Sequence, residues 1–485
     1  MSRASVIIPE RAETPGVLDD VAAFAKAYLD SLDDRPARSS SAEAAADAIG
    51  GALPDDGVGA RRALAELIDC GLDATVASAG PRVFHFVIGG ATPASLGGDW
   101  LAGTLDQMAY AWVATPFATR LEVVAMEWLA SLFELSEGYT GVMTTGATMA
   151  TFVGLGAARQ WWGERHGVNI GERGSVGLPA TPVFSSGYAH ASVRKALAML
   201  GMGRASLRTF ASDATGRCDR DGMRRALQAL DGTPAILVAT VGEVNTGDSD
   251  PIVEMVDLAE EFGAWLHVDG AFGMFARLSA RTRRFTEGVE RADSITVDGH
   301  KWLNVPYDCG FAFVRHAESL TGAFAYSGDY LAAVDDPRPN FGVIGPESSR
   351  RARALSVWAT LRAYGRSGYR AIVERHLDQA QRMASLVDAA PDLERLAETR
   401  LNIVCFRWNP GNASEDALNE INTRIGEEII RDGRVYAGTT RYEGKVALRP
   451  AISNWRMRDE DVDRFVDVVR EIGARVAASA RASKR

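Results

Sequence analysis

Cysteine is scarce and scattered in this chain. Its 485 residues include four, at positions 70, 218, 309 and 405, with no C-x-x-C pair. That spacing excludes zinc-ribbon sites and a dense disulfide framework. The seven histidines form no H-E-x-x-H and no i, i+4 pair, so a helical metal site is not expected. No stretch approaches the roughly 18 uninterrupted apolar residues of a membrane span. The opening "MSRASVIIPERAETPG" lacks the apolar core of a signal peptide, which makes the cytoplasm the expected location. Basic residues are outnumbered, 53 Lys and Arg against 63 Asp and Glu, for a net charge of −10. This disfavours nucleic acid or an anionic membrane as the main partner. The phosphate-loop signature G-x-x-x-x-G-K-[ST], the dinucleotide signature G-x-G-x-x-G after a strand, and the hydrolase elbow G-x-S-x-G are all missing.

What is present is the composition of a globular protein, 46% hydrophobic and 24% charged, with length for more than one domain. Residues 17–32 show helical periodicity. Residues 33–57 are rich in Ala, Ser, Pro and Gly and suit a loop with a short helix. This region has little core of its own and reads as an arm packed on something else, a second subunit included. From about residue 90 the texture alternates. Residues 101–135 read as mostly helical, and 141–162 as small residues leading into a helix. "TPVFSS", "TPAILVATVG", "AWLHVDG" and "SITVDG" read as strands separated by helices. Alternation of this kind predicts an α/β fold with a mainly parallel sheet. Past residue 360, "NIVCFRW", "KVALRPAIS" and "DEDVDRFVDVVREIGARVAA" suit a smaller α+β domain. The expected division is an arm over 1–85, a large domain over 86–360 and a small domain over 361–485.

Ligands of open α/β sheets sit beyond the carboxyl ends of the strands. Asp269 closes one predicted strand, and "DGHKW" (298–302) closes another. A lysine held in a partly desolvated pocket spends more time as neutral amine, which is what condensation with an aldehyde needs; Lys301 is so placed, though a lysine at a strand end can also simply reach for solvent. A buried Asp269 needs a donor, and a pyridinium N–H would be one, making the ring an electron sink. Ala271 is small enough to lie against a flat ring. The ordinary alternative is a capping aspartate before a glycine turn. Gly146, Ala147 and Thr148 open a helix whose N–H groups suit a phosphate. His190 also begins a helix, where its imidazole could stack on a ring. His267 lies on the same side of its strand as Asp269, and core burial is the simpler reading for it.

Phosphate-binding helix start, stacking histidine, acidic ring partner and Schiff-base lysine follow one another in that order. With "PRVFHF", "WLASLFEL", "HVDGAFG", "DGHKWLNVPYDCG", "LTGAF" and "VALRPAISNWR", they make residues 81–455 resemble the pyridoxal-phosphate-dependent group II amino-acid decarboxylases, the aromatic-L-amino-acid decarboxylase-like family. The resemblance implies the fold type I architecture, with a mainly parallel seven-stranded sheet between helices. It implies pyridoxal 5'-phosphate as cofactor and a homodimer with active sites at the interface. Decarboxylation of an L-amino acid, aromatic or not, to the amine and CO2 would follow. Lys301 would carry the internal aldimine, His190 would stack on the ring opposite Ala271, and Asp269 would pair with the ring nitrogen. Gly146, Ala147, Thr148, Asp298 and His300 would surround the phosphate. Tyr330, on a lid-like stretch over 326–350, would protonate the quinonoid carbon. Phe86, Tyr110 and Arg449 would meet the substrate, Tyr110 in the neighbouring subunit. The chain departs from the family pattern at Met149 (commonly glutamate), Val244 (threonine in the aromatic enzymes) and Asp298 (often asparagine). Asn245 or Thr246 would then supply the contact that Val244 lacks. The resemblance leaves two other outcomes, an oxidative deaminase (aldehyde synthase) or aminotransferase on the same fold, and a catalytically silent homologue, against which the presence of Lys301 and Asp269 counts.

Overall fold

The computed structural model describes residues 12–328, 337–411 and 413–482. The large sheet opens with β1 (Thr140–Thr144), β2 (Val183–Ser185), β3 (Leu207–Thr209), β4 (Ile236–Thr240) and β5 (Trp265–Asp269), and the chain first reverses at β7. β6 (Ser294–Asp298) and β7 (Gly310–Val314) complete it in the order β1-β7-β6-β5-β4-β2-β3. All neighbours are parallel except β7, which runs antiparallel to both β1 and β6. The expected mainly parallel seven-stranded α/β sheet is therefore present. Residues of β4, β5 and β6 are buried throughout, as strands covered on both faces by helices must be.

The second sheet comprises β8 (Leu393–Arg395), β9 (Phe406–Trp408), β10 (Thr439–Tyr442) and β11 (Lys445–Leu448), in the antiparallel order β10-β11-β9-β8. The helices Glu415–Asp432 and Asp459–Ala482 flank it, and Phe406, Ile425, Ile429, Leu448, Phe465 and Val469 lie in one apolar cluster. Phe84 belongs to that cluster although it lies in the stretch assigned to the N-terminal arm. A helical rod, Ala354–Ala389, joins the two cores and bends at Gly365, whose φ of 57° breaks the α-helical run. The expected boundary at residue 361 falls inside this rod. At the N-terminus, the helices Thr14–Ser31 and Ala60–Gly71 bury no residue. No described helix is long and apolar enough to cross a membrane.

The stretch 101–135 departs from a single helical reading. One helix, Pro93–Leu105, stops where Asp106 adopts φ 46°, and the next, Pro116–Leu132, starts at a proline capped by Thr115. Proline at the first helical position forbids continuity with the residues before it.

Candidate active site

Most of the expected residues converge on one cavity of about 330 Å³ at the carboxyl edge of the large sheet. Asp269 ends β5 and Asp298 ends β6, on neighbouring strands. The turn after β6 brings His300 and Lys301 to the cavity. The loops after β2 and β4 contribute His190 and Val244, and the turn after β1 contributes Gly146, Ala147 and Thr148. Ala271, Phe86 and Arg449 complete the set of expected residues that line it.

Asp298 is the hub of the lysine turn. One carboxylate oxygen lies 3.0 Å from Lys301 Nζ. The other accepts the Ala147 N–H at 2.5 Å and lies 3.3 Å from His300 Nε2. The Cys309 N–H donates to His300 Nδ1, which must therefore be unprotonated, leaving any ring N–H on Nε2. Burial lowers the proton affinity of His300, against the pull of Asp298. The Ala147 N–H, expected to serve a phosphate, is thus taken up by the protein itself.

His190 caps the helix Ala191–Met199: its Nδ1 accepts the Ser192 N–H at 3.2 Å and lies 2.7 Å from the Ser192 hydroxyl. Nδ1 is an acceptor, so the neutral ring carries its proton on Nε2. Burial pushes His190 below the usual histidine range; Asp269 opposes this, and Lys301 and Arg449 add to it. Asp269 is 4% exposed and accepts the Ala271 N–H at 3.1 Å. Burial raises its carboxyl, while His190 and Lys301 pull it down. His267, two residues earlier, is fully buried with Nδ1 2.8 Å from the Ser294 hydroxyl, in keeping with a core role.

Among the described residues, Asn245, Thr246 and Tyr110 do not line this cavity. Asn245 does not line it: its Nδ2 donates to Glu243 at 2.7 Å and its Oδ1 accepts the Thr440 hydroxyl at 2.7 Å. The Thr246 hydroxyl also turns to Glu243. The buried Glu243 carboxylate gathers the polar groups of its own loop, which leaves Val244 facing the site. Tyr110 is 6% exposed and does not line the cavity; it lies against Gly342. Tyr330 lies outside the described residues. Phe84 is in the C-terminal core, whereas Phe86 lines the cavity. Among the contributors that sequence reasoning missed are Ser192, which fixes His190, and Phe272, whose ring centroid lies 5.9 Å from Lys301 Nζ. Both sit within three residues of a position already singled out.

The donor set fits pyridoxal phosphate. Gly146 has φ 152° and ψ 176°, and a Cβ there would come within 3.0 Å of His300 Cε1 and 3.3 Å of Asp298 Oδ1. That bare backbone leaves room for an anion beside a helix start. Asp269 offers a buried carboxylate to a cationic ring N–H, and Lys301 offers an amine.

A mainly parallel sheet with a lysine, two aspartates and a histidine at its carboxyl edge defines a pyridoxal-phosphate enzyme of the α/β class. The conserved domain of pyridoxal-dependent decarboxylases matches residues 65–409, and the chain belongs to that family. It is a pyridoxal-phosphate-dependent amino-acid decarboxylase. The aromatic-L-amino-acid decarboxylase of Bacillus atrophaeus is 29% identical over 407 residues, 82% of each chain. The L-2,4-diaminobutyrate decarboxylase of Rhizobium meliloti (strain 1021) is 31% identical over 426 residues, 86% of this chain and 83% of that protein. The crystal structure of Oryza sativa TDC with PLP and tryptamine matches with a TM-score of 0.88 at 25% identity, covering 96% of this chain and 98% of that one.

Proposed function

We propose that the chain decarboxylates an L-amino acid with an aromatic or otherwise apolar side chain, using Lys301 as the covalent lysine, Asp269 as the ring-nitrogen partner, His190 as the stacking imidazole and Tyr330 as the proton donor to Cα. The observation that carries this reading is the convergence of Lys301, Asp269 and His190 on one cavity. When bound, pyridoxal phosphate supplies an aldehyde for the substrate amine and a ring that accepts the electron pair left as CO2 departs. Asp269 holds a proton at the ring nitrogen. His190, with Nδ1 occupied by Ser192, offers its Nε2–H to the site. Gly146, Thr148 and His300 hold the phosphate, with Asp298 ordering His300 and Lys301 around it. Lys301 Nζ would hold the cofactor through its aldehyde carbon.

The apolar side-chain preference rests on the wall made by Phe86, Val87, Met149, Val244 and Phe272. Among the described residues lining the cavity the acids are Asp269 and Asp298, both buried and engaged, so neither is free to receive a second substrate ammonium. A homodimer accords with the exposed apolar side chains Trp100, Leu101, Leu105, Val113 and Phe117, and with the N-terminal helices that bury nothing in their own subunit. In that assembly Tyr110 serves the neighbour's site.

The test is a panel of L-amino acids offered to the purified protein with pyridoxal phosphate, following CO2, amine, aldehyde, ammonia and peroxide. Apolar substrates should give CO2 and amine in equal amounts, and Lys301→Ala should give neither turnover nor a hydride-trappable bond to the cofactor. Full activity of Lys301→Ala overturns the assignment. In air, Tyr330→Phe should slow amine formation and divert product to aldehyde and ammonia, with O2 as the oxidant and peroxide as its product; an unchanged amine yield removes Tyr330 from the mechanism.

A further inference from the structure

The turn that bears Lys301 is fastened by buried hydrogen bonds from distant segments. The Gly89 N–H donates to His300 O at 3.1 Å, and a Cβ at Gly89 would collide with Lys301 O, so only glycine allows that approach. Thr92 N–H and Ser95 Oγ–H both donate to Asn304 O. Asn304 holds a positive φ of 58°; its Nδ2 donates to Trp302 O, and its Oδ1 accepts the Trp455 N–H. The indole of Trp302, next to Lys301, donates Nε1–H to His376 Nδ1 at 2.8 Å. On its other side His376 Nε2 lies 3.0 Å from Asn454 O. Trp302, Asn304, His376 and Asn454 all have no solvent exposure.

These partners fix the protonation state of His376. An indole N–H can only donate and a backbone carbonyl can only accept. Nδ1 is therefore bare and Nε2 carries the proton: a neutral ring in one tautomer. Burial, which lowers the proton affinity of His376 to about 3, agrees with this.

We propose that His376 is a positioning residue for Lys301, locking the indole of Trp302 and so tying the lysine turn to the 454–455 segment of the C-terminal core. The proposal rests on the reading of Lys301 as the covalent lysine. It differs from simple core packing because the two faces of the ring do different jobs. The Nδ1 face acts on Trp302 and the lysine turn. The Nε2 face acts on Asn454.

Two near-isosteric substitutions separate the faces in the holoenzyme. In His376→Asn the amide oxygen sits near the place of Nδ1 and can still accept from Trp302. In His376→Gln the amide nitrogen reaches the place of Nε2 and can still donate to Asn454 O, but Trp302 loses its acceptor. His376→Gln should lower kcat about tenfold, the factor of one unmet buried donor, with KM little changed. It should also shift the pH midpoint of the visible absorbance of the lysine-bound cofactor and slow hydride trapping at Lys301. His376→Asn should keep both signals near those of the parent. Trp302→Phe, which removes the donor, should reproduce the spectral shift, and combining it with His376→Gln should add little further. Loss of thermal stability with an unmoved midpoint and unmoved kcat in His376→Gln overturns the proposal, as does an equal effect of Gln and Asn. Should His376→Gln fail to fold, a normal spectrum in Trp302→Phe overturns it. Hydride trapping that labels another lysine in the unsubstituted protein overturns the assignment of Lys301, and this inference with it.

Discussion

Asp269→Asn tests the electrostatic core of the site with little change of shape. The wild-type carboxylate ends β5, is 4% exposed and accepts the Ala271 N–H at 3.1 Å. An asparagine oxygen can keep that bond, so the turn into Ala271 and Phe272 should hold. What is lost is the charge. Burial already disfavours the ionised carboxyl, with His190 and Lys301 restoring it in part; without cofactor, the neutral amide should leave the melting temperature equal or higher. With cofactor the sign reverses, because removing one member of a buried charged pair costs about 3–5 kcal/mol. An amide also presents an N–H to the ring nitrogen and favours the unprotonated ring. If that cost falls on the step in which the ring takes up electrons, kcat drops by about 150- to 5,000-fold at about 1.4 kcal/mol per decade. The assay is steady-state kinetics at saturating cofactor, alongside the visible spectrum and a melting curve of the apoprotein. A cofactor-loaded Asp269→Asn enzyme with kcat within tenfold of the parent would refute the pairing of Asp269 with the ring nitrogen.

Two further perturbations probe the same edge of the sheet. Gly146→Ala places a Cβ 3.0 Å from His300 Cε1 on a backbone at φ 152°. The cost of about 1–3 kcal/mol for that conformation should appear as cofactor affinity weakened about 5- to 150-fold, measured by fluorescence titration; an unchanged affinity removes Gly146 from the phosphate cradle. Asp250 accepts the Ser186 hydroxyl and the N–H of the cavity-lining Thr240, yet burial pushes its carboxyl up from 3.8 to about 7. A carboxyl raised by folding contributes stability that is complete below its unfolded pKa and is lost as pH rises through the folded one. The melting temperature of Asp250→Asn relative to the parent should therefore climb between about pH 4 and pH 7, and a pH-independent difference would contradict it.

The sheet was most legible where burial is complete. Each residue of β4, β5 and β6 is buried; β4 is a near-continuous apolar run, and β5 and β6 carry apolar residues at alternate positions and end in an aspartate. β1 and β7 were hidden for a different reason. They pair with each other, Thr144 opposite Gly310, and a Cβ at Gly310 would fall 2.5 Å from Gly146. Glycines chosen for that close approach blur the strand pattern from which they would be read. The break between residues 105 and 116 was marked by proline, but a long apolar periodicity on both sides masked it.

Site residues divide along the same physical line. Asp269, Asp298 and Lys301 lie at or just past the ends of strands whose direction is fixed by the sheet, so the place of each side chain follows from the strand. Asn245 and Thr246 sit in a loop whose side chains are directed by Glu243, and local spacing carries no record of that buried carboxylate. Asp298 shows why the two kinds of information must meet. A carboxylate at the end of β6 reads from the sequence as an anion at a buried sheet edge, which is electrostatically unfavourable taken by itself. Its oxygens, however, are shared among Lys301 Nζ, His300 Nε2 and the Ala147 N–H at a helix start, a set that holds compensating positive charge and dipole. At that helix start the Ala147 N–H goes to Asp298 and the Met149 and Ala150 N–H groups bond back to Gly146 O, while Gly146 and Thr148 line the cavity.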